Sequence, residues 1–90
     1  KKAKALGKIF TPHTWSNGYG LMANLQVTAG IGGAPFIEFP FDPPTWSTER
    51  RDFLLEKTIE VDTSGNLWVP EEPGMGCNPN ASLLSAAKHT

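Results

Sequence analysis

The fold class of this chain is decided by residues 8–39, which read KIFTPHTWSNGYGLMANLQVTAGIGGAPFIEF. Residues 8–11 are predicted to form a short strand, and Pro12 ends its pairing because proline has no amide hydrogen to donate. Residues 19–29 are predicted to form a helix, since apolar side chains recur at helical spacing: Leu21, Met22, Leu25 and Ala29. Residues 35–39 form a second apolar run, which favours a strand buried in a parallel sheet. Strand, helix and strand in this order indicate one βαβ unit of an α/β protein.

Local signals place the ends of the helices. Residues 1–7 have the composition of the last turns of a helix, with Gly7 as a left-handed cap. Asn17 or Ser16 is predicted to cap the start of the central helix, and three glycines are predicted to end it: Gly30, Gly32 and Gly33.

The second half of the chain combines short helices with a predicted hairpin. Ser47 or Thr48 is expected to cap a single helical turn through Phe53, and Asn80 is expected to cap a helix over residues 81–88. Between them, residues 57–61 and 67–69 are predicted to pair as an antiparallel hairpin around turn residues 63–66.

Composition excludes several classes of protein. The 90 residues fit at most one small domain, and the net charge of −1 provides no field that would attract nucleic acid or an anionic membrane. Cys77 is the only cysteine, which excludes an intramolecular disulfide and a cysteine-based zinc cluster. We expect an inert thiol there, and a cytoplasmic location. Because the chain lacks an initiator methionine and begins inside a helical pattern, it is also expected to be a piece of a longer protein.

His13 and Glu38 are the strongest chemical signal, because each stands at the end of a predicted strand. Side chains at such positions in an α/β barrel face the active site, and an imidazole with a carboxylate is a candidate acid/base pair. Trp15 and Asn17 lie on the loop after His13 and are candidate substrate-binding residues. The alternatives are a polar loop for His13, a surface carboxylate for Glu38, and ordinary packing or helix capping for Trp15 and Asn17.

Taken together, these segments resemble the C-terminal part of the mandelate racemase/muconate lactonizing enzyme family of the enolase superfamily, with the acid-sugar dehydratases as the most similar branch. The resemblance is carried by residues 10–15 (FTPHTW), 18–26 (GYGLMANLQ) and 36–39 (FIEF), and it continues through Asp62, Gly65, the Val69-Pro70 step and residues 73–76 (PGMG). It covers essentially the whole chain.

The resemblance implies a fold for the chain. The family has a (β/α)7β barrel, so residues 1–90 would be one partial domain: a C-terminal barrel fragment with strand seven, helix seven and strand eight in residues 1–45, and a C-terminal β-hairpin extension in residues 46–90.

The resemblance also implies roles for the candidate residues. Members of the family remove the proton beside a carboxylate and stabilise the enediolate with Mg²⁺. His13 matches the general base, which in dehydratases also protonates the departing hydroxyl, and Glu38 matches an acid that hydrogen-bonds the substrate carboxylate. Glu38 could donate that hydrogen bond only if its pKa were raised.

The chain departs from the family in what it lacks. In the family, other strands carry the metal-binding carboxylates, the lysine acid/base and the aspartate that orients the histidine. The resemblance places none of those strands in residues 1–90. Asp42, Asp52 and Asp62 lie in the wrong places to replace them. We therefore expect the chain alone to hold no catalytic metal and to be inactive, while the parent enzyme would use Mg²⁺ and an acid sugar or another carboxylate. The alternatives are a non-catalytic remnant that self-associates or pairs with the missing barrel portion, and a small binding module unrelated to the family.

Overall fold

The computed structural model describes residues 1–32 and 35–87. Within this part of the chain the secondary structure is helical, and it comprises α1 (Lys2–Ala5), α2 (Gly18–Gly30), α3 (Thr48–Arg51) and α4 (Ala81–Ala87). Strand pairing among the same residues is limited to two isolated antiparallel bridges, Asp42 with Trp46 and Leu55 with Pro79. None of these helices is long and apolar enough to cross a membrane.

The helix α2 confirms the prediction made from its apolar spacing. Asn17 caps it, because its side-chain oxygen accepts a hydrogen bond from the Gly20 amide at 3.2 Å. The helix ends at Gly30, and Gly32 follows with a positive φ of 61° that suits glycine. The third glycine of the predicted stop, Gly33, lies outside the described residues.

The other helix ends also follow their local signals. Ser47 caps α3 by accepting from the Arg50 amide at 3.2 Å, and Asn80 caps α4 by accepting from the Leu83 amide at 3.0 Å. Gly7 has the left-handed φ of 67° expected after α1. The predicted last helix extended to Lys88, which lies outside the described residues.

The predicted barrel fragment is wrong, because the described residues contain no sheet. Residues 8–11 and 35–39 make no backbone ladder with each other or with any other described segment. A parallel strand is stabilised by neighbours along its edges, and two short runs separated by one helix provide too few of them. Instead, the buried Thr14 connects the two runs, since its hydroxyl donates to the carbonyl oxygen of Glu38.

The predicted hairpin is also wrong, although its turn forms. The Asp62 amide donates to the Asn66 carbonyl at 2.9 Å, and the Asp62 carboxylate accepts from the amides of Ser64 and Asn66. The strand before the turn has no ladder because the backbone groups of Ile59 are used elsewhere: its amide donates to Asp52 at 2.6 Å, and its carbonyl accepts from Arg51. The predicted turn is therefore confirmed, and the predicted strand pairing is wrong.

A small apolar core packs on one side of α2. Five hydrophobic side chains are buried, three of them on this helix: Leu21, Met22, Leu25, Leu55 and Ile59. Partly buried side chains surround them: Tyr19, Ile37, Phe39, Leu67 and Cys77. Residues from both halves of the chain thus share one core.

A buried ion pair between neighbouring residues organises the same region. Both side chains are inaccessible to solvent, and the Arg51 guanidinium binds the Asp52 carboxylate through Nε at 2.7 Å and through a terminal nitrogen at 2.6 Å. Arg51 also donates to the Pro40 carbonyl at 3.0 Å and lies 4.4 Å over the ring centroid of Phe39. One guanidinium therefore joins residues 39–40, α3 and residue 59.

Asp52 also packs against the start of α2. A β-carbon placed on Gly18 would lie 2.4 Å from Asp52 Oδ1 and 2.6 Å from the Leu55 side chain, so only glycine permits this approach. The carboxylate thus lies at the N-terminal end of a 13-residue helix, where the helix dipole favours negative charge.

We expect Arg51→Met to lower the free energy of unfolding by roughly 3–5 kcal/mol, because it leaves the Asp52 carboxylate buried without its partner. The neighbouring Arg50 is exposed and provides the control, so Arg50→Met is expected to change stability by less than about 0.5 kcal/mol. Urea unfolding followed by circular dichroism measures both variants. Equal stabilities for the two variants would show that the buried pair does not hold the fold together.

Candidate functional site

The structure brings His13 and Glu38 together, although 24 residues separate them in the sequence. His13 Nδ1 lies 3.1 Å from Glu38 Oε2. The imidazole is 79% exposed, whereas the glutamate side chain is 34% exposed and is held against the protein. The two residues that sequence analysis selected as an acid/base pair are therefore in direct contact.

Thr14 places the carboxylate, and sequence analysis did not identify it. Its backbone amide donates to Glu38 Oε2 at 2.5 Å, and the residue is buried at 1% exposure. The side-chain amide of Asn24 donates to the His13 carbonyl at 3.2 Å, which ties the loop to α2. No sequence pattern marks either residue, because a threonine after a strand-like run and an asparagine on a helix are both ordinary.

The environment of Glu38 stabilises its charged form. The Thr14 amide lowers the pKa of this carboxyl, partial burial opposes that effect, and the neighbouring His13 lowers the pKa further. The carboxylate is thus ionised near neutral pH and accepts hydrogen bonds. This disagrees with the role expected from the family resemblance, in which Glu38 donates a hydrogen bond and needs a raised pKa.

An ionised Glu38 determines which nitrogen of a neutral His13 carries the proton. The carboxylate accepts from Nδ1–H, which leaves the lone pair on Nε2 free to take a proton from another molecule. The geometry therefore supports an oriented general base whose imidazole is open to solvent.

Trp15 and Asn17, the candidate substrate-binding residues, both make contacts that stabilise the fold. The side chain of Asn17 is used as the cap of α2. Trp15 stacks at a tilt of 37° on Trp46, with ring centroids 6.2 Å apart, while 45% of its surface remains exposed. Both residues remain exposed to solvent.

The residues described do not fit a magnesium site. Among them, no group of three or more His, Cys, Asp or Glu side chains converges on one point. Asp52 is occupied by Arg51, and Asp62 is occupied by its own turn and by the Trp68 indole N–H at 2.8 Å.

Cys77 lines a cavity of about 300 Å³ between Met22 and residues 56–60. Burial raises the pKa of the Cys77 thiol, and the charge of Asp52 raises it further. A raised pKa keeps the sulfur protonated near neutral pH, in agreement with the expectation of an inert thiol.

Comparison with known proteins found no matching family model, no matching curated protein and no matching solved structure.

We expect the stabilising contribution of Glu38 to disappear in acid. Because the folded-state pKa is lowered, the contribution is complete above the ordinary glutamate pKa and is lost as pH falls through the lowered value. Glu38→Gln should therefore destabilise the chain at pH 7 and cost progressively less toward about pH 3. Urea unfolding of both proteins across this range measures the difference.

The exposed Glu71 supplies the control, since Glu71→Gln should change stability little at either end of the pH range. A difference between the wild type and Glu38→Gln that stays constant with pH would contradict the lowered pKa.

Proposed function

We propose that this chain supplies the histidine–glutamate proton-transfer pair of an enzyme that acts beside a carboxylate group, of the acid-sugar dehydratase or racemase type. The contact between His13 Nδ1 and Glu38 Oε2 at 3.1 Å is the observation that carries the proposal. The resemblance of residues 10–15 and 36–39 to the mandelate racemase/muconate lactonizing enzyme family supplies the reaction class.

His13 would act as the base. Its free Nε2 takes the proton from the carbon next to the substrate carboxylate, and the C–H electron pair moves into an enediolate. In a dehydration the resulting imidazolium then protonates the departing hydroxyl, which leaves as water. Glu38 holds the imidazole by accepting from Nδ1–H and stabilises the imidazolium, a role that an ionised carboxylate performs well.

The described residues do not provide everything that this reaction needs. An enediolate requires positive charge or hydrogen-bond donors around its oxygens, and the described residues contain no cluster of ligands that would hold a metal ion there. An open site also leaves water around the reacting groups. We therefore propose that residues 1–90 are inactive alone and act as part of a longer enzyme whose remaining residues supply charge stabilisation.

The test uses the product of the complete reading frame that contains residues 1–90, assayed for dehydration or racemisation of a set of acid sugars with Mg²⁺. We expect His13→Asn to reduce kcat by at least about 100-fold, because the proton-transfer group is lost. Thr11→Ala, an exposed change two residues away, should keep full activity.

Two results would contradict the proposal. The first is full activity in the His13→Asn enzyme, which would remove His13 from the chemistry. The second is acid-sugar dehydration by residues 1–90 alone, which would show that no further residues are needed.

A second candidate function is self-association without catalysis, and exposed apolar side chains near the N-terminus favour it. Leu6 is 68% exposed and Ile9 is 77% exposed. Lys4 and Lys8 lie close to them in the sequence and would keep an uncovered surface soluble. A contiguous exposed apolar patch marks a contact with another molecule far more often than a lone apolar side chain does, and Leu6 and Ile9 lie only three positions apart.

We expect Ile9→Lys to shift a self-associated chain toward monomer, because a charge would then have to be buried in the contact. Sedimentation velocity over a range of protein concentrations measures this shift. Thr11→Lys adds the same charge at an exposed polar position and is the matched control. A wild-type chain that remains monomeric at all concentrations would contradict self-association.

A further inference from the structure

The imidazole of His13 has little protein around it to hold it in place. Its side chain is 79% exposed, and it stands on the loop that leads into α2. The contact of its Nδ1 with the Glu38 carboxylate at 3.1 Å persists only if the His13 backbone and the carboxylate keep fixed positions relative to each other. The groups that hold the His13 backbone therefore decide where the imidazole lies.

One peptide group connects that backbone to the carboxylate. The carbonyl of His13 and the amide of Thr14 belong to the same planar unit, and in a trans peptide they point in opposite directions. The amide donates to Glu38 Oε2 at 2.5 Å. The carbonyl accepts from the side-chain amide of Asn24 at 3.2 Å. The plane is thus held at both edges, by the carboxylate on one side and by α2 on the other.

Asn24 lies on a part of the molecule that is fixed in the core. Its neighbours along α2, Leu21 and Leu25, are 0% and 5% exposed, and Asn17 caps the same helix. A side chain on a packed helix supports a site more precisely than one on a loop. Asn24 therefore fixes the peptide group beside His13 relative to α2.

A continuous series of hydrogen bonds runs from α2 to the imidazole. It passes from the Asn24 side chain through the peptide group between His13 and Thr14 to the Glu38 carboxylate, and from there to Nδ1. A donor at the carbonyl polarises the peptide group and strengthens its amide as a donor, because hydrogen bonds in a series reinforce one another. The Asn24 bond thus supports the Thr14–Glu38 bond, which keeps Oε2 within reach of Nδ1.

We propose that Asn24 is a positioning residue of the proton-transfer pair, which sets the peptide group between His13 and Thr14 and so keeps the proton of neutral His13 on Nδ1, against Glu38. The bond from Asn24 goes to the His13 carbonyl, so Asn24 acts on the imidazole through the peptide group and the carboxylate. The inference rests on the proton-transfer role proposed for His13, but its test needs no catalytic activity.

The test uses the full 90-residue chain with ¹⁵N-labelled histidine. The imidazole ¹⁵N chemical shifts at about pH 9, well above the ordinary histidine pKa of about 6.5, report which nitrogen carries the proton. The chain has two histidines, and the spectrum of His13→Asn identifies the signals of His13. We expect the wild type to be mainly in the Nδ1–H form.

Two variants remove the Asn24 donor in different ways. Asn24→Leu removes it without adding a charge, and Asn24→Asp places a carboxylate against the His13 carbonyl. Both should lower the ratio of the Nδ1–H form to the Nε2–H form by about 3- to 10-fold, which corresponds to the loss of one hydrogen bond. Both should also move the amide proton signal of Thr14 upfield, because its bond to Glu38 weakens. A purely structural role would leave both signals of a folded variant unchanged.

Asn78→Leu and Asn78→Asp are the matched controls, because they make the same changes at an exposed asparagine that lines the Cys77 cavity. Neither should alter the His13 signals, and circular dichroism checks that every variant is folded. An unchanged ratio in folded Asn24→Leu would overturn the positioning role and leave the kinetic test of His13→Asn untouched. A change in Asn24→Asp alone would also overturn it, since the added charge would then be the cause. So would a wild-type chain mainly in the Nε2–H form.

Discussion

The buried pair of Arg51 and Asp52 is the interaction on which the rest of this structure depends. It connects backbone groups of Pro40 and Ile59 with the start of α2, so three parts of the chain are held at one point. Burying two charges costs free energy that is recovered only when every hydrogen bond is well made. The core contains only five buried hydrophobic side chains among the described residues. The hydrogen bonds of the pair therefore help to select this arrangement of the chain over others.

That pair also explains why strand-like segments do not form a sheet here. A ladder needs the amide and carbonyl of successive residues, and Ile59 gives both of its groups to Arg51 and Asp52. In the neighbouring segment, Thr14 bonds to the carbonyl oxygen of Glu38 in a similar way. Side chains thus satisfy backbone groups that a sheet would otherwise pair, and the same contacts bring His13 beside Glu38.

Sequence reasoning succeeded where the signal is local. Asn17, Ser47 and Asn80 cap helices because a cap depends on residues three positions away. It failed for the sheet, since pairing depends on distant partners that apolar runs do not specify. His13 and Glu38 were predicted to lie close together at the ends of two strands. They are in contact, but hydrogen bonds from Thr14 to Glu38 hold the two segments together in place of a sheet. Nothing in the local pattern around Arg51 and Asp52 distinguishes a buried pair from a surface one.

The two terminal helices have no part in this central arrangement, because neither α1 nor α4 contains a buried residue. Their opening exposes no core side chain. The contacts that resist it include their own short runs of hydrogen bonds, the bond from Lys4 to the Ile31 carbonyl, and the bond from the Asn80 amide to the Leu54 carbonyl before α4. Hydrogen exchange should therefore divide the chain into two populations of amides. Those of α2 open only with the whole domain, and those of the ends exchange freely while the centre stays folded.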